Sequence, residues 1–332
     1  GSEMCIRDRE SRGYRPEEIF RIGKTLKNKA KRYYTVDNSI YENRKSAGNV
    51  IDKEAGILSR GNLTRLKNFL NRAAQGERLT VGFIGGSITQ GFAATEPDKC
   101  YAARTVAWLR KVFPNTEFDY VNAGIGATNS QFGAARVQED LLCRLPDLVM
   151  VEFSVNDHCT PHDMETYEGL IRQIYGSRSC PAMVLLHSVY YDTGKSAAYY
   201  HAQIGRHYDL PCISMQNSIY PAVAAGRLPA EKITADFLHP NDLGHEFMAS
   251  VITNFLEKVI HDKTQEQQEI FPAPLTENAY EHCARLQYFN STPGRSGFEE
   301  DMTPQRDITD IKAEFYLVSV IVSGVREEGN TK

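Results

Sequence analysis

The sequence predicts an α/β protein, a three-layer α/β/α sandwich around a central, mostly parallel five-stranded sheet. Two observations support this. Strand-like and helix-like runs alternate between about residues 61 and 262, the pattern of repeated βαβ units. Some strand-like runs are also continuously apolar, such as Leu148-Val-Met-Val151, which is expected where helices cover both faces of a parallel sheet.

The elements follow in order. Leu63, Leu66, Phe69 and Leu70 recur at helical spacing, and a strand follows at 81–84. Ala102, Val106, Leu109 and Phe113 share one face of a second helix. Further strands are expected at 118–122, 148–153, 183–186 and 212–215, with helices near 129–143, 164–175, 195–208 and 243–260. The pattern shows no internal repeat.

The two ends differ from this middle. Residues 1–60 carry 14 Lys and Arg against 9 Asp and Glu, and read as a basic extension, partly helical or disordered. The run 24–32 is either an anion-binding patch or, more ordinarily, a solvated helix face. Residues 263–332 carry 7 against 12 and form a loop-rich extension, with Pro272, Pro274, Pro293, Gly294 and Gly297. Their one strand-like run, at 315–322, would need partners, as in an incomplete β accessory region. The domain reading is therefore 1–60, 61–262 and 263–332.

Composition narrows the function classes. A net charge of −4 over 332 residues argues against a nucleic acid or an anionic membrane as the main partner. Seven scattered cysteines without a Cys-x-x-Cys fit a reduced compartment better than a disulfide framework or a zinc site. There is no apolar leader and no run long enough to span a bilayer. A cytoplasmic location is the expectation, with secretion open if a leader has been removed.

Chemistry concentrates in four blocks. The first, Val81-Gly-Phe-Ile-Gly-Gly-Ser-Ile-Thr-Gln-Gly91, runs from a strand through Gly85 and Gly86 into Ser87 and a helix. A serine there meets unpaired N–H groups that favour a developing negative charge. The plainer reading is an N-cap. The second, Asn122-Ala-Gly-Ile-Gly-Ala-Thr128, imitates the start of a dinucleotide fingerprint. Asn129 stands where the third glycine belongs, and no Gly-x-x-x-x-Gly-Lys-Ser/Thr loop exists, so neither a nicotinamide nor a P-loop site is expected. The third, Ser154-Val-Asn-Asp157, places the Asn156 carboxamide past a strand, with Asp157 as a turn or capping residue. Asp157, His158 and His162 could suggest a metal, but nothing completes a ligand set.

The fourth block, Asp236-Phe-Leu-His-Pro240, sets a carboxylate three residues before a histidine. Asp236 can accept Nδ1–H of His239 and leave Nε2 free to deprotonate a hydroxyl. A surface ion pair is the alternative. His245 is a rival base without an equivalent carboxylate upstream.

The four blocks, in this order on strand ends, resemble the SGNH (GDSL-type) hydrolase superfamily, and a carbohydrate-esterase-like member of it. The resemblance covers about residues 79–262 and implies a flavodoxin-like fold. It implies Ser87 as nucleophile, Asp236 and His239 as acid and base, and an oxyanion hole of the Ser87 N–H, the Asn156 side chain and the N–H of Ala127 or Gly126. This chain has Gly-Gly-Ser for Gly-Asp-Ser, Ala127 where a glycine is usual, and Ser-Val-Asn-Asp for Gly-x-Asn-Asp. The activity implied is a serine esterase acting through an acyl-enzyme, without cofactor or metal, on a small-molecule or oligosaccharide ester, with O-acetylated carbohydrate favoured. Asn129, Gln131, Phe132 and His158 flank the blocks as candidate substrate contacts. A thioesterase or lysophospholipase with the same site, or a non-catalytic binding protein on the same fold, are the alternatives.

Overall fold

In chain order the strands are β1 (Ile57–Ser59), β2 (Leu79–Gly85), β3 (Phe118–Gly124), β4 (Leu148–Glu152), β5 (Ala182–His187) and β6 (Cys212–Ser214). The helices are α1 (Thr64–Ala74), α2 (Ser87–Gln90), α3 (Tyr101–Val112), α4 (Ser130–Asp140), α5 (Pro161–Tyr175), α6 (Ala198–His207), α7 (Met215–Ser218), α8 (Tyr220–Ala224) and α9 (Asp242–His261). The computed structural model describes residues 50–284. The basic run at 24–32 and the strand expected at 315–322 lie outside the described residues.

The sheet has six strands rather than the expected five, in the order β1-β6-β5-β4-β2-β3. β2 to β6 are parallel, and β1 adds antiparallel to the β6 edge, with Ile57 opposite Ile213. β1 escapes a periodicity reading because three residues cannot display one, and because it lies in a stretch whose composition reads as an extension.

Alternate residues of each strand feed opposite cores. Leu148 and Met150 of β4, with Val184 and Leu186 of β5, pack with Phe69 of α1, Leu109 of α3 and Ile252 of α9. Val149 and Val151, with Met183 and Leu185, pack with Val137 of α4, Leu170 of α5 and Ile204 of α6. This double burial is why β4 and the apolar stretch of β5 read as unbroken apolar runs.

The C-terminal segment lies across the helices. Arg60 and Lys67 both pair with Asp262 and Glu266, and Arg65 pairs with Glu269 at 2.8 Å. Further on, the buried Glu168 of α5 accepts the N–H groups of Leu275 and Thr276 at 2.6 and 2.7 Å.

The chain leaves β2 for β3 on one side and returns to β4 on the other, so the strand order switches at β2. A crevice opens at the carboxyl ends of the strands at such a point. The blocks containing Ser87 and Asn156 follow these two adjacent strands.

Candidate active site

Ser87 is the first residue of α2, with Gly86 as the N-cap and no side-chain capping bond. The N-cap reading therefore does not describe this serine. Because α2 is a single turn, little macrodipole accumulates behind it; what distinguishes Ser87 is where its side chain points. Its Oγ lies 2.9 Å from His239 Nε2, and the residue is only 8% exposed.

His239 reaches Ser87 from a tight turn before α9. Its Nδ1 is 2.6 Å from Asp236 Oδ2, while Asp236 Oδ1 accepts the N–H groups of Leu238 at 3.0 Å and His239 at 2.8 Å. Partial burial opposes the charged form of Asp236, but the hydrogen bonds from the His239 ring and from these N–H groups outweigh it. They hold the carboxyl well below the usual carboxylate range. With Nδ1–H given to the carboxylate, Nε2 is left to accept the Ser87 proton. The turn stores strain: Phe237 has φ of 62°, unusual for a bulky residue. Its carbonyl is pinned by the Tyr191 N–H at 2.7 Å, and the turn is closed by a bridge between Thr234 and Pro240.

The loop after β3 supplies the second wall. Gly126 donates its N–H to Gln90 Oε1 at 3.0 Å, while the next residue, Ala127, is exposed. Ala127 has φ of 58°, in the left-handed region where a glycine is more comfortable. The loop after β4 brings Asn156 against the backbone of Gly86: a Cβ there would lie 2.1 Å from Asn156 Oδ1. Thus Gly86 is required by a close approach rather than by its φ of −86°.

The expected substrate contacts have local partners. Asn129 caps α4 through the Phe132 N–H at 3.1 Å. Gln131 Oε1 accepts from His162 Nε2 at 3.0 Å, Phe132 is half-buried, and His158 is exposed. Asp157, His158 and His162 do not form a metal-binding group. Asp157 is buried and bonded elsewhere, while His162 faces Gln131. Among the described residues no group of three His, Cys, Asp or Glu is placed to share a metal ion.

Two residues near the site take roles that the sequence did not announce. Phe92 is 56% exposed, and its ring lies 4.5 Å from the His239 ring, centroid to centroid. His245, the rival base, is buried away from Ser87. Its Nε2–H points at the Phe92 carbonyl at 3.4 Å, and its Nδ1 accepts the Tyr101 N–H at 3.3 Å. Burial lowers it to about 4, so it acts as a neutral brace for the Phe92 loop. A phenylalanine past a glycine turn and a helical histidine are both too common in sequence to announce such roles.

Comparison with known proteins identifies the family. The GDSL-like lipase/acylhydrolase family matches residues 83–247, which include Ser87, Asn156, Asp236 and His239. Among solved structures, a two-domain esterase active on acetylated mannans is 52% identical, with a TM-score of 0.72, over 79% of this chain and 71% of its own. The same kind of two-domain esterase co-crystallized with mannopentaose is 51% identical, with a TM-score of 0.70, over 79% and 70%. No curated protein matches the chain. Since it is 51–52% identical to these esterases over 79% of its length and 70–71% of theirs, this chain belongs to the GDSL-like lipase/acylhydrolase family and is a carboxylic ester hydrolase.

Proposed function

We propose that this protein is a serine O-acetylesterase acting on acetylated carbohydrate, with mannan-type chains as the preferred polymer. The observation behind it is the continuous relay Ser87–His239–Asp236, with spacings of 2.9 and 2.6 Å, in a chain half identical to esterases active on acetylated mannans.

Each step follows from this geometry. His239 Nε2 takes the Ser87 proton as Oγ bonds to the acetyl carbonyl carbon, and Asp236 stabilises the imidazolium that forms. The carbonyl oxygen, now an oxyanion, faces the N–H groups of Ser87 and Ala127 and the Asn156 carboxamide. As the tetrahedral intermediate collapses, the bond to the sugar oxygen breaks and His239 protonates that oxygen. Water, deprotonated by His239, then attacks the acetyl-serine and releases acetate. Phe92, whose ring lies against His239, and Phe237, two residues before His239, are exposed by 56% and 48% and offer apolar faces to the C–H face of a pyranose.

The test is hydrolysis of p-nitrophenyl acetate, butyrate and octanoate, and release of acetate from acetylated mannan and acetylated xylan, by the wild type and Ser87→Ala. The reading requires preference for acetate and for mannan, with activity abolished in the variant. Preference for octanoate would favour the thioesterase or lysophospholipase class. Equal activity of wild type and variant would remove Ser87 as nucleophile.

A further inference from the structure

The two loops that meet above Ser87 follow different strands, and one buried carboxylate ties them together. Asp157, 6% exposed, stands next to Asn156 in the loop after β4. Its Oδ1 accepts the N–H of Ser130 at 2.8 Å, and its Oδ2 lies 2.8 Å from His201 Nε2. Ser130 opens α4, three residues beyond Ala127. Asp157 therefore does cap a helix, but the helix belongs to the other loop.

His201 holds the second oxygen rigidly. It is fully buried on α6, and its ring stacks on Tyr167 of α5 with centroids 3.6 Å apart and planes within 4°. The start of α6 is tied to the same loop, because Ala197 N–H donates to Ser154 O at 2.6 Å. The loop is further tightened by the Asn156 and Asp157 N–H groups, both of which donate to Phe153 O.

Helix capping does not account for a carboxylate here. Asn129 already caps α4 from within its own loop. A buried carboxylate is costly unless its oxygens are satisfied, and a neutral side chain caps a helix equally well. A carboxylate does offer two acceptors to donors from two segments at once. We propose that Asp157 is a positioning residue that sets the spacing between the Ala127 N–H and the Asn156 carboxamide, and so couples the two halves of the oxyanion hole. This rests on the reading of Ala127 and Asn156 as oxyanion donors.

Asparagine at 157 would retain only one acceptor. Its NH₂ would face His201 Nε2–H, and the imidazole could become an acceptor there only by moving its proton to Nδ1, which is buried without a hydrogen-bond partner. One of the two ties must therefore loosen. A misplacement of this kind, remote from the bond being made, costs up to about 100-fold in rate.

A double-mutant cycle on p-nitrophenyl acetate tests the coupling, with thermal unfolding recorded for each variant. Asp157→Asn is expected to lower kcat by about 10–100-fold while KM changes less than about threefold. In an Asn156→Ala background the same substitution should cost less than about threefold, because the donor it positions is gone. An equal loss in both backgrounds would overturn the proposal and leave Asp157 as a structural residue. Should Asp157→Asn not fold, His201→Gln is measured in both backgrounds under the same criterion. Full activity of Asn156→Ala alone would strike the oxyanion reading itself, which separates that failure from a failure of the coupling.

Discussion

The Asn156 carboxamide packs directly on Gly86, the residue before the Ser87 nucleophile candidate. A Cβ at position 86 would come within 2.1 Å of Asn156 Oδ1 and 2.8 Å of its Cγ. Gly86→Ala is therefore expected to push the carboxamide out of place. Overpacking of this kind costs about 1–3 kcal/mol, and loss of the aligned donor should lower kcat by about 10–100-fold. Kinetics and chemical unfolding of this one variant measure both. Unchanged kcat in a folded protein would show that Asn156 need not stand where Gly86 allows it.

Ala127 bears on stability rather than on rate. Holding an L-residue in the left-handed region costs roughly 1–2 kcal/mol, and glycine recovers this less about 0.5–1 kcal/mol of extra chain entropy. Ala127→Gly is expected to stabilise the protein by up to about 1 kcal/mol. Activity should stay within about threefold of wild type, since the donor is a backbone N–H. A clear destabilisation in urea unfolding would contradict the strain.

Asp236 is expected to matter chiefly for rate through the orientation and charge stabilisation of His239. In Asp236→Asn the imidazole loses the acceptor that fixes its tautomer, and kcat should fall by on the order of 10³–10⁴. The carboxyl is held well below the usual carboxylate range, so it stays ionised wherever the enzyme is folded and working. Its stability contribution is present above its unfolded value and is lost only as pH falls through the depressed folded one. A kcat within about tenfold of wild type in a folded Asp236→Asn would contradict this role.

Buried histidines should make the fold acid-sensitive. Burial lowers His245 to about 4 and His187 to about 3, both from 6.5. Between pH 6.5 and those values the unfolded chain binds protons that the fold refuses. Stability is complete above 6.5 and falls as pH drops through this window. At about 1.4 kcal/mol per pKa unit, His245 contributes on the order of 3 kcal/mol. Unfolding of wild type and His245→Gln in urea at pH 7, 5 and 4 should show a shallower pH slope in the variant. Comparing the two cancels contributions they share, including that of Glu152, which burial raises and which acts in the opposite sense. Equal slopes would mean that His245 is not held neutral.

The residues legible in sequence share one property. Ser87 and Asn156 sit just past strands whose apolar runs are self-evident, and Asp236 and His239 lie within three positions of each other, so their relation is local. The helices over α1, α3, α5 and α9 were legible for the same reason, since an apolar stripe at 3.6-residue spacing needs no knowledge of its partner. β1 was not, nor was the αL geometry of Ala127, which depends on how its loop is held. Asp157 was readable as a capping residue, but which helix it caps was not: Ser130 is 27 residues away, and His201 is 44.

By itself the sequence determined the layered α/β architecture, the chemical inventory at the strand ends and the Asp236–His239 pair, because periodicity and short spacings act between neighbours in the chain. Only the tertiary structure decided that Ser87 Oγ meets His239 Nε2 across 152 positions, that Gly126 is occupied by Gln90 while Ala127 is exposed, and that His245 braces Phe92. Those relations are set by how helices and loops pack over the sheet. A difference of one ångström there separates a hydrogen bond from none, and no local pattern of residue types encodes it.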